Sequence, residues 1–433
     1  MKRIHRDILA LSVPAVIASV TTPLLGLMDT AFTGHMGGAV YLAGIALGGN
    51  LFNLIYWLFG FLRMGTSGLT AQAVGSADSR RQWLTLYRSL AVAAAAGLAL
   101  IALQGPVASL YMFLTSPEPQ AWQEGLLYFR ILIWGAPAFL ATVALSGWFI
   151  GMARSSKAMW MSIAIDVINL AVSATLVAGI GMKVPGVAIG TLAAQWGGLG
   201  AGLLMVRSLG SFPRFSLAEI FDRAELKRFA SVNRDIFLRT LCLIAVTLWF
   251  TREGARQGST MLAANALLMQ LFILFSFFMD GLAYAGEALA GSRVGAGDVA
   301  GLKATVRALV KWGAAVAVVF TVIYFFCGEA IMRLLSDDEG VRAAAADYLP
   351  WAVTIPLMSF MAFTWDGVFI GATATRSMLG SMALSTALFF ILIAALSSLP
   401  ANTALWIAFL AFLLCRSVTL SIAFSSRKSW KPQ

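Results

Sequence analysis

The sequence predicts an all-α integral membrane protein of twelve transmembrane helices arranged as two six-helix lobes. Three observations predict it. Only 12% of the 433 residues are charged while 59% are apolar, twelve apolar runs are each long enough to cross a bilayer, and the chain matches itself at an offset of 220 residues. Soluble domains carry roughly 25% charged residues, so the composition excludes a water-soluble fold. Cys242, Cys327 and Cys415 stand in apolar stretches without CxxC or metal-ligand spacing, which argues against a disulfide framework or a zinc site. They read as small buried hydrophobes. A formal net charge of +11 raises nucleic acid as a partner, but the basic residues are spread through short loops rather than gathered in a patch.

Crossing roughly 30 Å of hydrocarbon takes about 20 residues. The spans are expected at 8–33, 42–72, 88–112, 125–150, 158–180, 185–206, 232–251, 260–290, 305–328, 345–370, 377–398 and 402–425. The first follows Met-Lys-Arg-Ile-His-Arg without a small-residue cleavage site, and eleven more come after it, so it reads as a retained helix rather than a signal peptide. Cytoplasmic loops carry an excess of Lys and Arg. With the N-terminus inside, the inner segments hold 21 such residues: Lys2, Arg3, Arg6; Arg80, Arg81, Arg88; Arg154, Lys157; Arg207, Arg214, Arg223, Lys227, Arg228; Arg293, Lys303, Arg307, Lys311; Arg376; Arg427, Lys428, Lys431. The outer loops hold five, Lys183, Arg252, Arg256, Arg333 and Arg342. Both termini are therefore expected in the cytoplasm of a bacterial inner-membrane protein, with the acidic loop from Glu329 to Asp347 outside.

The internal repeat is ungapped. Leu42, Ala43, Ala46 and Leu47 fall on Leu262, Ala263, Ala266 and Leu267; Val74, Gly75 and Asp78 on Val294, Gly295 and Asp298; Tyr128 on Tyr348; Gly147, Phe149, Ile150 and Gly151 on Gly367, Phe369, Ile370 and Gly371. Six helices per half place both halves in the same orientation, related by an axis along the membrane normal. The expected organisation is an N-terminal lobe at 1–210, an amphipathic cytoplasmic connector at 211–231, and a C-terminal lobe at 232–433.

Ionisable residues inside spans are the places to seek chemistry, because burying a charge there costs at least about 2.5–3.5 kcal/mol. Asp29 lies deep in the first span. It is either a carboxyl whose desolvation lets it exchange a proton near neutral pH or an acid at a helix end. Pro14 lets the same helix kink. Asp166, Asn169 and Ser173 share one face of the fifth span at i, i+3 and i+7, as a proton or cation site or as a stripe bonding neighbouring helices. Asn50 and Asn53 on the second span and Gln195 on the sixth are candidates to complete that cluster. In the second half Asp280 and Glu287 share a face of the eighth span, and Asp366 opens Asp-Gly-Val-Phe-Ile-Gly on the tenth. Arg63 and Arg239 are the expected intramembrane cations. Such charges form structural pairs as readily as functional ones.

These residues resemble a known family. Pro-Leu-Leu-Gly-Leu-Met-Asp29-Thr-Ala, Phe61-Leu-Arg63-Met-Gly-Thr-Ser-Gly-Leu-Thr-Ala-Gln72, Asn233-Arg-Asp-Ile-Phe-Leu-Arg239, Leu262-Ala-Ala-Asn265, Asp280-Gly-Leu-Ala-Tyr-Ala-Gly-Glu287-Ala and Asp366-Gly-Val-Phe-Ile-Gly371 together are similar to the multidrug and toxic compound extrusion (MATE) transporters, in their DinF-like bacterial branch. The resemblance covers nearly the whole chain. It implies a V-shaped twelve-helix fold and antiport of amphiphilic, often cationic compounds against inward H⁺ or Na⁺, with Asp29 at the position of the leading protonation residue and Pro14 at a bend. It also implies Asn-x-x-x-Asp on the fifth helix, where this chain has Asn169 and Ser173. Asp166, two turns from Ser173 on the same face, is the candidate substitute. With no acid between Asp235 and Glu253, a second-lobe sodium site is not recognisable.

The resulting expectation is an H⁺-coupled multidrug antiporter, with Na⁺ the alternative ion, working as a monomer on amphiphilic or cationic solutes among membrane lipids, with neither cofactor nor nucleic acid. Asp29 carries the proton, and Asp166 and Asn169 assist. The alternatives are a flippase for lipid-linked precursors and a non-transporting scaffold or receptor. A membrane-embedded enzyme would need a nucleophile and base or a metal cluster at mid-membrane, yet His5 and His35 both lie outside the span centres.

Overall fold

The computed structural model describes residues 2–34, 39–210, 212–426 and 430, and the side chains of residues 22–34 and of residue 39 fall outside the described part. All regular structure among the described residues is helical. In chain order the α-helices are α1 (Lys2–Gly34), α2 (Ala39–Leu58), α3 (Gly60–Gly75), α4 (Ser79–Ala102), α5 (Gln104–Thr115), α6 (Pro119–Leu132), α7 (Ala136–Gly151), α8 (Ser155–Ala174), α9 (Val184–Arg207), α10 (Leu217–Ile220), α11 (Arg223–Arg256), α12 (Ser259–Gly295), α13 (Val299–Leu335), α14 (Glu339–Gly371), α15 (Thr375–Ala395) and α16 (Ala401–Ser426). Among the described residues, eleven helical stretches are long and apolar enough to cross a membrane. The expected seventh span lies in α11, where Arg234, Asp235 and Arg239 interrupt the apolar run. Asp235 and Arg239 are buried, and both are paired within their own unit.

The chain forms two compact units. The first-half unit holds residues 17–74 and 78–230; the second-half unit holds 1–16, 75–77 and 231–433. The sequence places residues 1–16 with the first lobe, whereas their contacts are with the second-half unit. The Trp312 indole donates to His5 Nδ1 (3.1 Å), and Gly281 on α12 leaves space only for the backbone of Ser12 and the side chain of Val16. Residues 211–230 likewise group with the first-half unit. There Arg88 donates to the carbonyls of Ile220 (3.0 Å) and Glu219 (2.9 Å), the Tyr87 hydroxyl donates to the Pro213 carbonyl (3.0 Å), and Arg80 pairs with Glu219. Ser216 and Glu219 close a capping box at the start of α10.

The 220-residue register recurs in the helix bounds. The segment 39–75 maps onto α12, Ser79–Thr115 onto α13, Pro119–Gly151 onto α14, and Ser155 onto Thr375, the first residue of α15. The caps repeat as well. The Asp78 carboxylate accepts from the Arg81 amide and Asp298 from Gly301, each just after a left-handed residue, Ala77 (φ 56°) or Gly297 (φ 69°). Most telling are the helix crossings. Gly147 on α7 faces the Arg63 carbonyl of α3 and Gly151 faces that of Ser67, while Gly367 on α14 faces the Ala283 carbonyl of α12 and Gly371 that of Glu287. All four backbone contacts coincide under the shift. Lipid tails are as apolar as leucine, so membrane helices gain affinity by close backbone approach at small residues. The repeated Gly-x-Phe-Ile-Gly is therefore a packing signature.

The halves are not identical. The first-half segments break at Phe59, at Leu103 before Gly105 and Pro106, and through a 3₁₀ turn at Ile133–Gly135, whereas α12, α13 and α14 run unbroken. In α14 this holds in spite of Pro350 and Pro356. The first-half core is aromatic, with Phe52 against Tyr56 and Phe129, and Tyr56 stacked on Phe139 at 3.6 Å. The cysteines depart from the buried reading: Cys327 is exposed and the other two half-buried, as for thiols on a surface that hydrocarbon covers.

Two outcomes follow. Gly367→Val pushes methyl groups into the Ala283 backbone and should cost about 1–3 kcal/mol, lowering the thermal unfolding midpoint in detergent. Gly380→Ala, with open space around it, should not lower it. The Ser216 amide and hydroxyl, followed by Arg80, hold the Glu219 carboxyl down to about 2. A depressed carboxylate stabilises the fold above its unfolded value of about 4.5 and loses that effect as pH falls towards 2. Isotope-edited infrared titration, compared with Glu219→Gln, should find this carboxylate still ionised at pH 4.

Candidate functional site

In the first-half unit, α8 and α9 pack along each other and carry a buried polar group. Asn169 and Ser173 are fully buried and Gln195 nearly so, while Asp166 is half-buried. Asn169 Nδ2 donates to Thr191 Oγ1 (3.0 Å), which in turn donates to the Val187 carbonyl, and Gln195 Nε2 donates to the Tyr56 hydroxyl (3.2 Å). The Thr21 hydroxyl stands within hydrogen-bonding reach of the Asp166 carboxyl. Two glycines make room: Gly190 abuts the Ser173 hydroxyl and Gly135 abuts Gln195 Oε1.

Four oxygens of this group, Asp166 Oδ2, Asn169 Oδ1, Ser173 Oγ and Gln195 Oε1, are buried without a hydrogen-bond partner. A buried unsatisfied polar atom costs about 1–3 kcal/mol, and native folds tolerate few. Four on two adjacent helices mark a place that pays for something other than stability. At the 220 offset Asp166 corresponds to Thr386, whose hydroxyl is also buried without a partner, and Asn169 to Phe389, which packs on Phe390 and Phe412, so the second half keeps neither the carboxylate nor the amide there.

The second-half unit pairs its buried charges and asparagines, while Asp366 Oδ1 and Thr386 Oγ1 stay buried without a partner. Asp366 Oδ2 accepts from Arg416 (2.8 Å) and from Arg239, Arg416 also lies over the Phe412 ring, and Asp235 bonds Arg234 (2.9 Å) and Thr375 (3.0 Å). Asn265 and Asn402 bond each other, and Trp406 donates to Asn265 (3.0 Å). Among the described residues no three His, Cys, Asp or Glu gather as a metal site.

The MatE family model matches residues 14–175 and again residues 236–396. The chain belongs to the MATE family. Relatives fit this. The DNA damage-inducible protein F of Escherichia coli (strain K12) is 35% identical over 97% of this chain and 92% of its own length. The multidrug resistance protein MdtK of Edwardsiella ictaluri is 22% identical over 86% and 83%. In fold, the chain is similar to an outward-facing multidrug resistance MATE family transporter of the MOP superfamily, with a TM-score of 0.87 at 17% identity, covering 98% of this chain and 97% of that one. It is likewise similar to a MOP superfamily transporter from Pyrococcus furiosus Vc1, with a TM-score of 0.84 at 18% identity over 98% and 94%. The protein is a membrane transporter and not an enzyme.

Within this MATE chain the structure gathers Asp166, Asn169, Ser173 and Gln195, and adds Tyr56 and Thr191, which sequence reasoning passed over because hydroxyls on other helices give no spacing signal. Asn50 and Asn53 are exposed, and Gln195 takes Tyr56 as partner in their place. The side chain of Asp29 lies outside the described residues. Pro14 sits within the uninterrupted helix α1. Asn265 and Asp366 are absorbed into the bonded sets above, and Arg63, Asp280 and Glu287 each engage neighbours. One correction concerns the cations. Arg63 and Arg239 were the expected intramembrane pair, but Arg416 and Arg130 also lie within spans, and Arg416 is the more deeply committed. It stands in Leu-Leu-Cys-Arg416-Ser, where the same rule about charges inside apolar runs finds it.

Removing the shared acid by Asp366→Asn leaves two buried guanidiniums uncompensated, which should cost about 3–5 kcal/mol. Arg416→Met leaves the Arg239–Asp366 pair intact and should cost clearly less. Thermal unfolding in one detergent would order the two variants.

Proposed function

We propose that this MATE transporter is a proton-coupled antiporter that exports amphiphilic, often cationic, organic compounds across the bacterial inner membrane, with both termini in the cytoplasm. The observation that carries the reading is the set of four partnerless oxygens on α8 and α9. Asn169 Oδ1 and Gln195 Oε1 only accept hydrogen bonds, and an ionised Asp166 adds two more acceptors. The Ser173 hydroxyl is the one donor among the four, so acceptors outnumber donors, and a proton on the carboxylate supplies a second donor. Neutralising the acid also removes the cost of a charge at membrane depth. The proton would enter from outside, favour a repacked first-half unit that releases drug outward, and leave to the cytoplasm to reset it. Asp29, by its family position, is the main carrier and Asp166 the partner that stands in for the acid missing at Ser173.

The energy is adequate. One proton crossing 100 mV yields about 2.3 kcal/mol and each pH unit about 1.4 kcal/mol, against about 1.4 kcal/mol to concentrate a neutral solute tenfold. A second reading rests on the same oxygens, because hard cations take oxygen ligands and Na⁺ would meet acceptors only.

The test is pH-jump transport of ethidium in sodium-free proteoliposomes. Gradient-driven movement should be abolished in Asp29→Asn and fall about tenfold or more in Asp166→Asn. Movement that requires a sodium gradient would replace H⁺ by Na⁺. Movement with neither gradient would favour the flippase.

A further inference from the structure

The segment that joins α9 to α11 is strapped along α4. The Phe212 ring packs on Trp83 (centroids 5.9 Å apart) and Phe215 on Tyr87 (5.6 Å), and Arg88 holds the carbonyls of Glu219 and Ile220. Residues 80–88 cover roughly 12 Å of that helix at 1.5 Å per residue. No charged residue follows Arg88 until Glu118, a stretch long enough to cross the hydrocarbon. Hydrocarbon therefore begins just past Arg88, and the strap lies at the height of the lipid headgroups.

It also lies on the side of α4 that faces lipid. The Ser89 hydroxyl bonds that of Thr66 on α3, and Gly97 abuts Pro137 on α7, so one side of α4 is turned to its own unit. The strap takes the other side. At i+7 and i+11 from Tyr87 that side continues as Ala94 and Leu98, with Ala95 and Ala99 beside them. All four are exposed, Leu98 by 63%. A bare apolar helix face of this kind is one that hydrocarbon covers.

The outer surface of the strap suits such a place. Leu217 and Phe221, one turn apart, are 73% and 53% exposed, and Phe212 is 40% exposed. The acids are engaged within the unit: Glu219 pairs with Arg80, Glu225 with Arg88, and Asp222 accepts from the Glu225 amide. Arg214, Arg223 and Lys227 are left exposed, and none makes an ion pair with a described residue. The repeat supplies an internal control. Under the 220 shift Trp83, Tyr87 and Arg88 become Lys303, Arg307 and Ala308, and Lys303 and Arg307 are exposed. At headgroup height α13 carries cations of its own, whereas α4 carries the aromatic seat of a strap that supplies them.

We propose that residues 212–227 form an in-plane anchor on the adjoining leaflet. Phe212, Leu217 and Phe221 insert at the acyl boundary, and Arg214, Arg223 and Lys227 meet the phosphates of anionic phospholipids. Amphipathic segments bind a leaflet through buried apolar area together with attraction to anionic lipid. The anchor needs only the leaflet beside the first turns of α4, so it is independent of the coupling ion and of the side of the membrane on which that leaflet lies.

Spin labels on the full-length protein in vesicles test this, with Cys242, Cys327 and Cys415 replaced by alanine and single cysteines introduced by Leu217→Cys, Leu98→Cys or Glu339→Cys. Leu98 serves as the hydrocarbon reference, and Glu339, with a side chain 93% exposed, as the water reference. In phosphatidylglycerol vesicles the label at 217 should be more accessible to oxygen than to a nickel chelate, as at 98 and unlike at 339. Arg214→Gln, Arg223→Gln and Lys227→Gln together should raise nickel access at 217 several-fold in phosphatidylglycerol but not in phosphatidylcholine, with an unchanged thermal midpoint in detergent. A label at 217 as open to nickel as the one at 339 would overturn the anchor. The same response to the three glutamines in both lipids would overturn the phosphate contacts.

Discussion

The rest of the architecture depends on the place where two helices touch backbone to backbone. α3 against α7 and α12 against α14 meet at Gly147 and Gly151, Gly367 and Gly371, each facing a carbonyl of its partner. In a bilayer no hydrophobic effect drives helices together, so this proximity, with the dispersion and weak C–H···O contacts it allows, must do so. It also fixes the axial position of everything else on those helices. Asp366 precedes Gly367 by one residue, so the crossing that seats Gly367 sets the height at which Arg239 and Arg416 must meet the carboxylate.

From the same scaffold the two halves resolve buried polarity differently. The second half pairs its charges and asparagines: two arginines on one aspartate, two asparagines on each other with a tryptophan, an aspartate between an arginine and a threonine, with Asp366 Oδ1 and Thr386 Oγ1 left bare. These groups are structural glue. The first half leaves acceptor oxygens bare on α8 and α9, where the second half has built an aromatic core around Phe389. Bare acceptors of this kind leave room for a partner that the protein itself does not supply.

Much of this was legible in the sequence. The apolar runs, the repeat and the glycine motif needed only hydropathy and self-comparison, and the face shared by Asp166, Asn169 and Ser173 followed from helical spacing. Partners contributed by other helices were not legible. Nothing in one sequence says that Tyr56 rather than Asn53 meets Gln195, since both lie on one helix and the choice depends on its rotation. The run expected as the seventh span falls inside α11 but is not among the eleven stretches apolar enough to cross a membrane, and the charges that interrupt it could be understood only once Asp366 and Thr375 were seen to receive them. The grouping of residues 1–16 with the second-half unit was hidden for the same reason, as it depends on which surface Gly281 leaves free.

The matched glycine crossings have a consequence for how such a chain can vary. Each crossing couples a residue near the start of a half to one about 84 positions later, and both halves keep that spacing. An insertion or deletion inside one of the contacting helices would rotate its glycine away from the partner carbonyl, and the two halves have the same length over that interval. Outside it the restraint lapses. The register first slips in the connection to the last helix of each half, where Val184 and Ala401 stand three residues short of the common offset. Chain length is free to drift only where no backbone contact is counting it.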